Sequence, residues 1–291
     1  MIFKGNREPT LWKRGMKMNE NVHLRNGVEI PRVGLGVYKM EDGEEVVKAI
    51  CSAVDIGYRH IDTASFYGNE KGVGKGIKEC RVPREELFVT TKVWNDEQGY
   101  EETLEAFERS MDKLGLNYLD LYLIHWPVPG KYKETWKALE KLYHDGRVKA
   151  IGVCNFMEHH LEDLLKDSEV TPMVNQVEFH PALYQKELAD YCAQKDIQLE
   201  AWAPIARGKY FDAAVLKQCA EHYNKTPAQI ILRWHLQHDV VVIPKSSNSD
   251  RQKENFDVFD FNLKSEEIKG IDELHTGERI GKHPDEFDYN M

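Results

Sequence analysis

Residues 87–125 read LFVTTKVWNDEQGYEETLEAFERSMDKLGLNYLDLYLIH, and this stretch contains one complete strand–helix–strand unit. Two apolar runs, Leu87–Lys92 and Leu119–His125, are typical of strands that are buried on both faces. Between them, Thr103–Leu114 repeats its apolar residues at the spacing of one helix face. A strand, a helix and a second strand in this order predict a parallel sheet that is covered by helices.

The same alternation extends along the chain in both directions from this unit. The other candidate strands are Val33–Gly36, His60–Asp62, Ala150–Val153, Val174–Glu178, Gln198–Trp202 and Val240–Pro244. The other helical segments are Glu44–Val54, Thr135–His144, Met157–Lys166, Lys186–Lys195, Ala213–His222 and Pro227–Gln237. Eight strands that alternate with helical segments predict an α/β fold, a single (β/α)₈ TIM barrel with extra C-terminal helices; they fit a doubly wound sheet less well.

A hairpin precedes the first barrel strand. Val22–Leu24 and Val28–Ile30 flank Asn26-Gly27, a pair that favours a tight type I′ turn. Residues 1–20 carry five basic side chains but no apolar segment of the kind found in a secretory signal. We therefore interpret residues 1–20 as an N-terminal extension or an added leader, and residues 21–291 as the barrel domain.

Composition excludes several classes of function. The formal net charge is -10, whereas a protein that binds nucleic acid needs a basic surface to neutralise phosphates. No apolar run approaches the roughly 20 residues of a membrane span. The five cysteines form no CxxC pair, which is typical of reduced thiols in a cytosolic protein. These features predict a cytoplasmic protein without nucleic-acid or membrane partners.

Three consecutive strands end in residues that can carry chemistry. Asp62, Lys92 and His125 lie at these ends, and Tyr67 follows in the loop after Asp62. The carboxyl ends of barrel strands converge on one cavity, so we expect the four side chains to meet there. A nearby ammonium group favours the phenolate and should lower the pKa of Tyr67 from its usual value near 10. This set predicts an acid that protonates a carbonyl oxygen while another group delivers hydride.

Four stretches closely resemble the motifs of the aldo-keto reductase family. They are GYRHIDTA at 57–64 with YGNE at 67–70, TKVW at 91–94, DLYLIHWP at 120–127, and IPKS at 243–246 followed by Arg251, Glu254 and Asn255. The resemblance spans about residues 22–274. It implies a barrel that uses NADPH, with Asp62, Tyr67, Lys92 and His125 as the catalytic tetrad.

The resemblance also implies the residues that contact the cofactor and the substrate. Asn155 and Gln176 would bind the nicotinamide carboxamide, Trp202 would stack on the nicotinamide, and the backbone at Ala203 and Ile205 would face the pyrophosphate. Lys245, Ser246 and Arg251 would bind the 2′-phosphate, with Glu254 and Asn255 near the adenine. Tyr38, Trp94 and Trp126 would form walls of the substrate pocket. Cys154 departs from the family's usual serine, and a thiol is a weaker hydrogen-bond donor than a hydroxyl.

The loops are short, as in bacterial family members that resemble glyoxal and diketo-gluconate reductases. The segment after His125 leads almost directly into a helix, and about 17 residues follow Leu274. Short loops predict an open pocket that discriminates weakly, and hence activity on small aldehydes and dicarbonyls such as methylglyoxal or diketo sugar acids. Steroids and prostaglandins should be poorer substrates. By analogy with the family we expect a monomer.

Two other functions are compatible with parts of the pattern. A barrel glycosidase would use Asp62 and Glu178 as paired carboxylates. A nucleotide-binding regulatory subunit would share the fold without the activity. We expect no metal site, because the adjacent His159 and His160 have no evident carboxylate or thiol partner, and we expect the glycine-rich residues 72–76 to lie in a helix.

Overall fold

The computed structural model describes residues 20–289. Its strands are β1 Asn21–His23, β2 Glu29–Pro31, β3 Leu35–Gly36, β4 His60–Asp62, β5 Phe88–Val93, β6 Leu119–Ile124, β7 Val148–Cys154, β8 Val174–Glu178, β9 Gln198–Trp202 and β10 Val241–Val242. Its α-helices are α1 Glu44–Ile56, α2 Glu70–Glu79, α3 Tyr100–Leu114, α4 Tyr132–His144, α5 Glu158–Leu165, α6 Lys186–Gln194, α7 Ala214–Tyr223, α8 Pro227–Gln237, α9 Ser249–Phe256 and α10 Ser265–Asp272.

The eight strands from β3 to β10 form one parallel sheet in chain order. The sheet closes on itself, because Val33 pairs with Val242 and Gly36 pairs with Lys245 in parallel bridges. At this seam the Gly34 N–H donates to the carbonyl of Val242 over 2.8 Å. The predicted (β/α)₈ barrel is therefore confirmed, and the carboxyl ends of its strands face one side.

The burial of the strands explains why their sequences are continuous apolar runs. Every residue of β5 and β6 is buried, since one face of each strand fills the barrel and the other packs under the helices. The helices contribute one apolar face each; in α3, Phe107 and Met111 are buried whereas Glu101 and Glu105 are exposed. One connected apolar core results.

The hairpin is confirmed, but its turn differs from the predicted type I′. Of the two central residues only Gly27 has a positive φ, +85°, whereas a type I′ turn requires a positive φ at both. The Leu24 N–H instead donates to the Val28 carbonyl, so three residues form the loop. Asn26 donates to the carbonyl of Lys149, near the start of β7, and the hairpin therefore packs at the amino-terminal end of the barrel.

The helical predictions hold to within a few residues. Residues 72–76 lie in α2, as expected. Two helices, α7 and α8, separate β9 from β10, and α9 and α10 follow the last strand as the extra C-terminal helices. The predicted extension, apart from its last residue, lies outside residues 20–289. Within that range, no helix is both long and apolar enough to span a bilayer.

Candidate active site

The four residues of the predicted tetrad come together at the carboxyl end of the barrel. Asp62 ends β4, Lys92 lies near the end of β5 and His125 directly follows β6. Tyr67 ends a short 3₁₀ turn, Ser65–Tyr67, that follows β4. Asp62, Lys92 and His125 are buried and Tyr67 is half-buried.

Lys92 is the centre of this cluster. Its ammonium nitrogen donates to Asp62 Oδ1 over 2.7 Å, to the carbonyl of Thr63 over 2.9 Å and to the Tyr67 hydroxyl over 3.4 Å. A fully buried ammonium is costly unless it is paired and hydrogen-bonded. Burial is the largest single influence and would lower the pKa of Lys92, but Asp62, Tyr67 and Cys154 together outweigh it, so the net shift is upward and the group stays charged.

The pKa of Tyr67 departs from the sequence-based prediction. Burial raises this pKa, and the opposing effect of the Lys92 charge is smaller, so the net shift is upward. The prediction that Lys92 lowers the net pKa is therefore wrong for this structure, although the direction of its own contribution is right. A phenol with a raised pKa is fully protonated at neutral pH and holds a proton that it can donate.

His125 forms one wall beside the tyrosine. The two rings lie 5.8 Å apart, centre to centre, in an edge-to-face arrangement. Burial, and then the positive charge of Lys92, hold the pKa of His125 well below its usual value. The imidazole is therefore neutral, so it can donate one hydrogen bond without carrying a charge.

A layer of buried polar groups lies deeper in the barrel, beneath the tetrad. Gln176, on β8, donates from Nε2 to Asp62 Oδ2 over 2.9 Å and to Glu200 Oε2 over 3.0 Å. Glu200 was not singled out in the sequence. The only available signal was a charged residue in the apolar run of β9, where alternate side chains point into the barrel.

The predicted nicotinamide residues line the same end of the barrel. Asn155 adopts a left-handed backbone conformation with φ +61° just after β7. Its side chain donates to the carbonyl of His125 over 3.0 Å and accepts from Trp202 Nε1 over 2.9 Å. The Cys154 thiol is buried, and burial raises its pKa far above the usual value. Cys154 is therefore a neutral thiol.

Two backbone donors after β9 have no partner. Neither the Ala203 nor the Ile205 N–H makes a hydrogen bond with any residue in the range 20–289. Ala203 has a φ of +50°, which turns the chain sharply at the strand end. Unpartnered N–H groups at a strand end suit an anionic group such as a pyrophosphate.

The predicted phosphate-binding residues follow β10. Lys245 and Arg251 are exposed, and in the described part of the chain neither is in an ion pair. Arg251 lies in the first turn of α9, where helix N–H groups and the dipole favour an anion. Ser246 and Asn255 are buried nearby, while Glu254 accepts a hydrogen bond from Thr226. The charges and donors of this set fit a phosphate group.

Aromatic rings surround the entrance to the tetrad. Tyr38 lies 5.0 Å from Tyr67, and Trp94 lies 4.9 Å from His125, measured between ring centres. Two rings that the sequence analysis missed complete the wall. Phe66 stacks on Trp94 at 3.8 Å and Phe287 stacks on Trp126 at 4.2 Å. Phe287 is supplied by residues 278–289, which we call the C-terminal segment.

The C-terminal segment is anchored at the end of β8. Both carboxylate oxygens of Glu178 accept backbone N–H groups, from Ile280 over 2.5 Å and from Gly281 over 3.1 Å. A Cβ atom at position 281 would lie 2.5 Å from the Trp202 ring, so only glycine fits there. Short as it is, the C-terminal segment therefore contributes a wall to the pocket, which the length of the loops alone did not indicate. Because both oxygens of Glu178 accept backbone N–H groups, this carboxylate does not suit a catalytic role in a glycosidase.

A histidine pair holds the same segment farther along. Asp285 Oδ1 lies 3.0 Å from His159 Nε2 and 3.5 Å from His160 Nε2. The expectation that these histidines lack a carboxylate partner is wrong, and the three donor atoms lie close enough to bind one metal ion. However, His160 Nδ1 accepts the Met157 N–H over 3.2 Å, so a neutral ring carries its proton on Nε2. That nitrogen therefore has no lone pair for a metal ion, and we interpret the cluster as a polar clamp on Asp285.

Comparisons with known proteins agree with this arrangement. The sequence matches the model of the Aldo/keto reductase family over residues 32–276. Glyoxal reductase of Bacillus subtilis (strain 168) is 60% identical over 270 residues, which cover 93% of this chain and 98% of the relative. The 9,11-endoperoxide prostaglandin H2 reductase of Trypanosoma cruzi (strain CL Brener) is 53% identical over 278 residues, covering 94% and 98%.

A solved structure extends the comparison to the cofactor. A mutant of Gox0644, crystallised in complex with NADPH, superposes with a TM-score of 0.88 and 42% sequence identity. The match covers 92% of this chain and 98% of that chain. The two proteins thus share the barrel over nearly their whole lengths.

Proposed function

The chain belongs to the aldo/keto reductase family, and from that premise we propose which carbonyl compounds it reduces and which residues take part. The chain is an NADPH-dependent carbonyl reductase. Its substrates, in this proposal, are small aldehydes and dicarbonyls such as glyoxal and methylglyoxal, together with diketo sugar acids. The observation that carries the assignment of residues is the convergence of Tyr67, Lys92, Asp62 and His125 at one end of the barrel.

Each member of the tetrad has a role that follows from its contacts. The hydride for the carbonyl carbon would come from NADPH when it is bound. Tyr67 gives its proton to the carbonyl oxygen, and the phenolate left behind is stabilised by the Lys92 ammonium at 3.4 Å. Asp62 holds Lys92 charged and in place. The neutral His125 donates a hydrogen bond that polarises and orients the carbonyl.

The cofactor fits the groups that the barrel leaves available. Asn155 and Gln176 would bind the nicotinamide carboxamide, and Trp202 would pack on its ring. The unpartnered N–H groups of Ala203 and Ile205 would face the pyrophosphate. The 2′-phosphate and adenine would be held by Lys245, Ser246, Arg251, Glu254 and Asn255. This set supports NADPH over NADH, because only NADPH carries the 2′-phosphate.

The choice of substrate depends on the aromatic wall. Tyr38, Trp94 and Trp126 provide flat apolar surfaces. The C-terminal segment adds the ring of Phe287, which stacks on Trp126, and this contact is between two uncharged rings. Such a wall accepts many small carbonyls and discriminates weakly among them. The prostaglandin endoperoxide reductase among the relatives makes a bulky endoperoxide the informative competitor to methylglyoxal.

Cellular location and assembly are further proposals. All five cysteines are unpaired, which supports a reducing compartment and hence the cytoplasm. The net charge of -10 supports the absence of a nucleic-acid partner. We propose a monomer whose barrel domain comprises residues 21–291, with residues 1–20 as an N-terminal extension or an added leader.

One assay tests the proposed function. The purified protein should oxidise NADPH, seen as a loss of absorbance, when methylglyoxal is added, and NADH should be at least roughly tenfold less effective. The preference follows because a charge-assisted hydrogen bond contributes about 1.5–3 kcal/mol. Arg251→Ala should reduce the preference, whereas Lys253→Ala, an exposed cation on the same helix, should not. Equal efficiency with both nucleotides would contradict the phosphate site.

The two alternative functions lack a supporting observation. A glycosidase would need two available carboxyl groups, but Asp62 is bound to Lys92 and Gln176, and Glu178 is bound to the C-terminal segment. A purely regulatory nucleotide-binding subunit would have no use for an intact tetrad. Neither activity accounts for the site as well as carbonyl reduction does.

A further inference from the structure

A buried carboxyl group lies beneath the tetrad, and the proposed reaction does not use it. Glu200 lies on β9, and its side chain is completely inaccessible to solvent. Its Oε2 accepts from Gln176 over 3.0 Å. Its Oε1 has no hydrogen-bond partner within residues 20–289, and His60 Nε2 lies 3.6 Å from it.

Within residues 20–289, Glu200 forms no ion pair with a lysine or an arginine. The Lys92 ammonium is paired with Asp62, so an ionised Glu200 would add an unpaired negative charge in the barrel interior. Burial, and then the charge of Asp62, raise the pKa of Glu200 to about 8. Burial lowers the pKa of the neighbouring His60 to about 4. At neutral pH both groups are therefore uncharged, and the proton that they compete for lies on Glu200.

The contacts of Gln176 show what Glu200 does. The amide nitrogen of Gln176 has two hydrogens, and they are directed at Asp62 Oδ2 and Glu200 Oε2. Because both donors are used inside the barrel, only the carbonyl oxygen of Gln176 remains for a ligand. Without Glu200, one of these donors would lose its partner, and the amide could rotate to seek another.

We propose that Glu200 is a positioning residue that acts as a neutral carboxylic acid. It holds the Gln176 amide in one orientation, with the carbonyl oxygen available to accept from the N–H groups of the nicotinamide carboxamide. It also leaves Asp62 as the only charged carboxylate beneath Lys92. The proposal rests on the proposed function, since the orientation of the Gln176 carbonyl oxygen matters through its contact with the cofactor.

Ionisation of Glu200 should impair the reaction. The titratable groups around it are His60 and Asp62 on β4, Lys92 on β5 and Cys154 on β7, while β8 contributes the uncharged Gln176. Lys92 is the only cation among them. A second negative charge would compete with the Tyr67 phenolate for Lys92, and Tyr67 would become a weaker acid. Turnover should therefore fall as the pH rises through about 8.

Two substitutions separate the neutral acid from a carboxylate. Glu200→Leu removes the acceptor and should weaken NADPH binding roughly 2- to 10-fold, as expected for the loss of one hydrogen bond. Glu200→Gln keeps an uncharged acceptor and should restore most of that affinity. Quenching of tryptophan fluorescence by NADPH measures both. Glu140→Gln is the matched control, because Glu140 is a buried carboxyl on α4 that is bonded to Trp136 and to backbone N–H groups away from the site.

Infrared spectroscopy tests the charge state without cofactor or turnover. The wild type at neutral pH should show the carbonyl stretch of a protonated carboxyl group, which Glu200→Gln should lack and Glu140→Gln should retain. The fall in turnover at alkaline pH should also be lost in Glu200→Gln. Absence of the band, or a Glu200→Gln variant that binds NADPH as weakly as Glu200→Leu, would overturn the proposal. If Glu200→Leu does not fold, the band and the pH profile still decide. A wild type that shows the band but reduces no carbonyl would contradict the proposed function alone.

Discussion

The ammonium nitrogen of Lys92 lies 3.4 Å from the phenol oxygen of Tyr67. A positive charge at this distance does little while the phenol is protonated, but it stabilises the phenolate that forms when the proton leaves. The contact therefore acts on the transition state of proton transfer and much less on the resting protein.

Tyr67→Phe removes the proton and keeps the ring. Turnover should fall by about 10²–10⁴-fold, the usual contribution of a general acid. NADPH binding should change little, because the proposed cofactor contacts are made by other residues. Steady-state kinetics with methylglyoxal and fluorescence titration with NADPH measure the two effects separately. A variant that retains near-normal turnover would show that Tyr67 is not the acid.

Lys92→Met tests the buried ion pair. Asp62 is 1% exposed and would lose its cation, which typically costs about 3–5 kcal/mol of unfolding free energy. The double variant Asp62→Asn/Lys92→Met should recover much of this stability, since no unpaired charge remains, yet it should stay inactive. Urea denaturation of the two variants and the wild type gives the comparison. Equal stabilities for the single and double variants would mean that the unpaired Asp62 carboxylate does not destabilise the single variant.

Phe287→Ala tests the aromatic wall. The stacked contact with Trp126 would be lost, and contacts between aromatic rings contribute about 0.5–1.5 kcal/mol. The KM for aromatic aldehydes should rise roughly 2- to 10-fold, whereas the KM for methylglyoxal should change less, because it has no ring. Asp285→Asn keeps Phe287 but weakens the clamp with His159 and His160. It should change the two KM values in the same directions as Phe287→Ala does, but to a smaller extent. Identical changes for the two substrates would argue against a ring contact.

Protonation of His60 should destabilise the fold in acid. Burial lowers the pKa of His60 to about 4 from an ordinary value of 6.5, so the unfolded chain takes up the proton first as the pH falls. Stability should therefore be lost between these two values, by an amount on the order of 3 kcal/mol for this group. His60→Gln removes the titrating ring, and its unfolding free energy should fall less steeply over that range. Parallel curves for the two proteins would contradict this linkage.

The local sequence pattern predicts the position of a barrel strand well where the ends of that strand are clearly marked in the sequence. The strands His60–Asp62, Val174–Glu178 and Gln198–Trp202 were predicted with the bounds that the structure has. The last strand is shorter than the predicted Val240–Pro244, ending at Val242. Pro244 has no N–H to donate, which helps to explain why the regular ladder does not continue through it.

Contacts between distant segments could not be predicted in this way. Phe287 contacts Trp126 although the two residues are far apart in the sequence, and no local periodicity indicates that they pair. The raised pKa of Tyr67 likewise depends on how deeply the ring is buried, which a motif does not report. Glu200 was visible as a charge in an apolar strand, but its role depends on Gln176 and Asp62, which lie on other strands.

The aromatic wall is completed later in synthesis of the chain than the tetrad is. A ribosome releases all eight barrel strands before it releases Phe287, so the last ring of the wall is added after every residue of the tetrad. Residues 275–277, which precede the C-terminal segment, are all exposed. One proteolytic cut there would free that segment from its covalent attachment to the barrel. The clipped protein would keep the tetrad, while the ring of Phe287 and the packing of Gly281 against Trp202 would depend on the contacts with Glu178 and the histidine clamp alone.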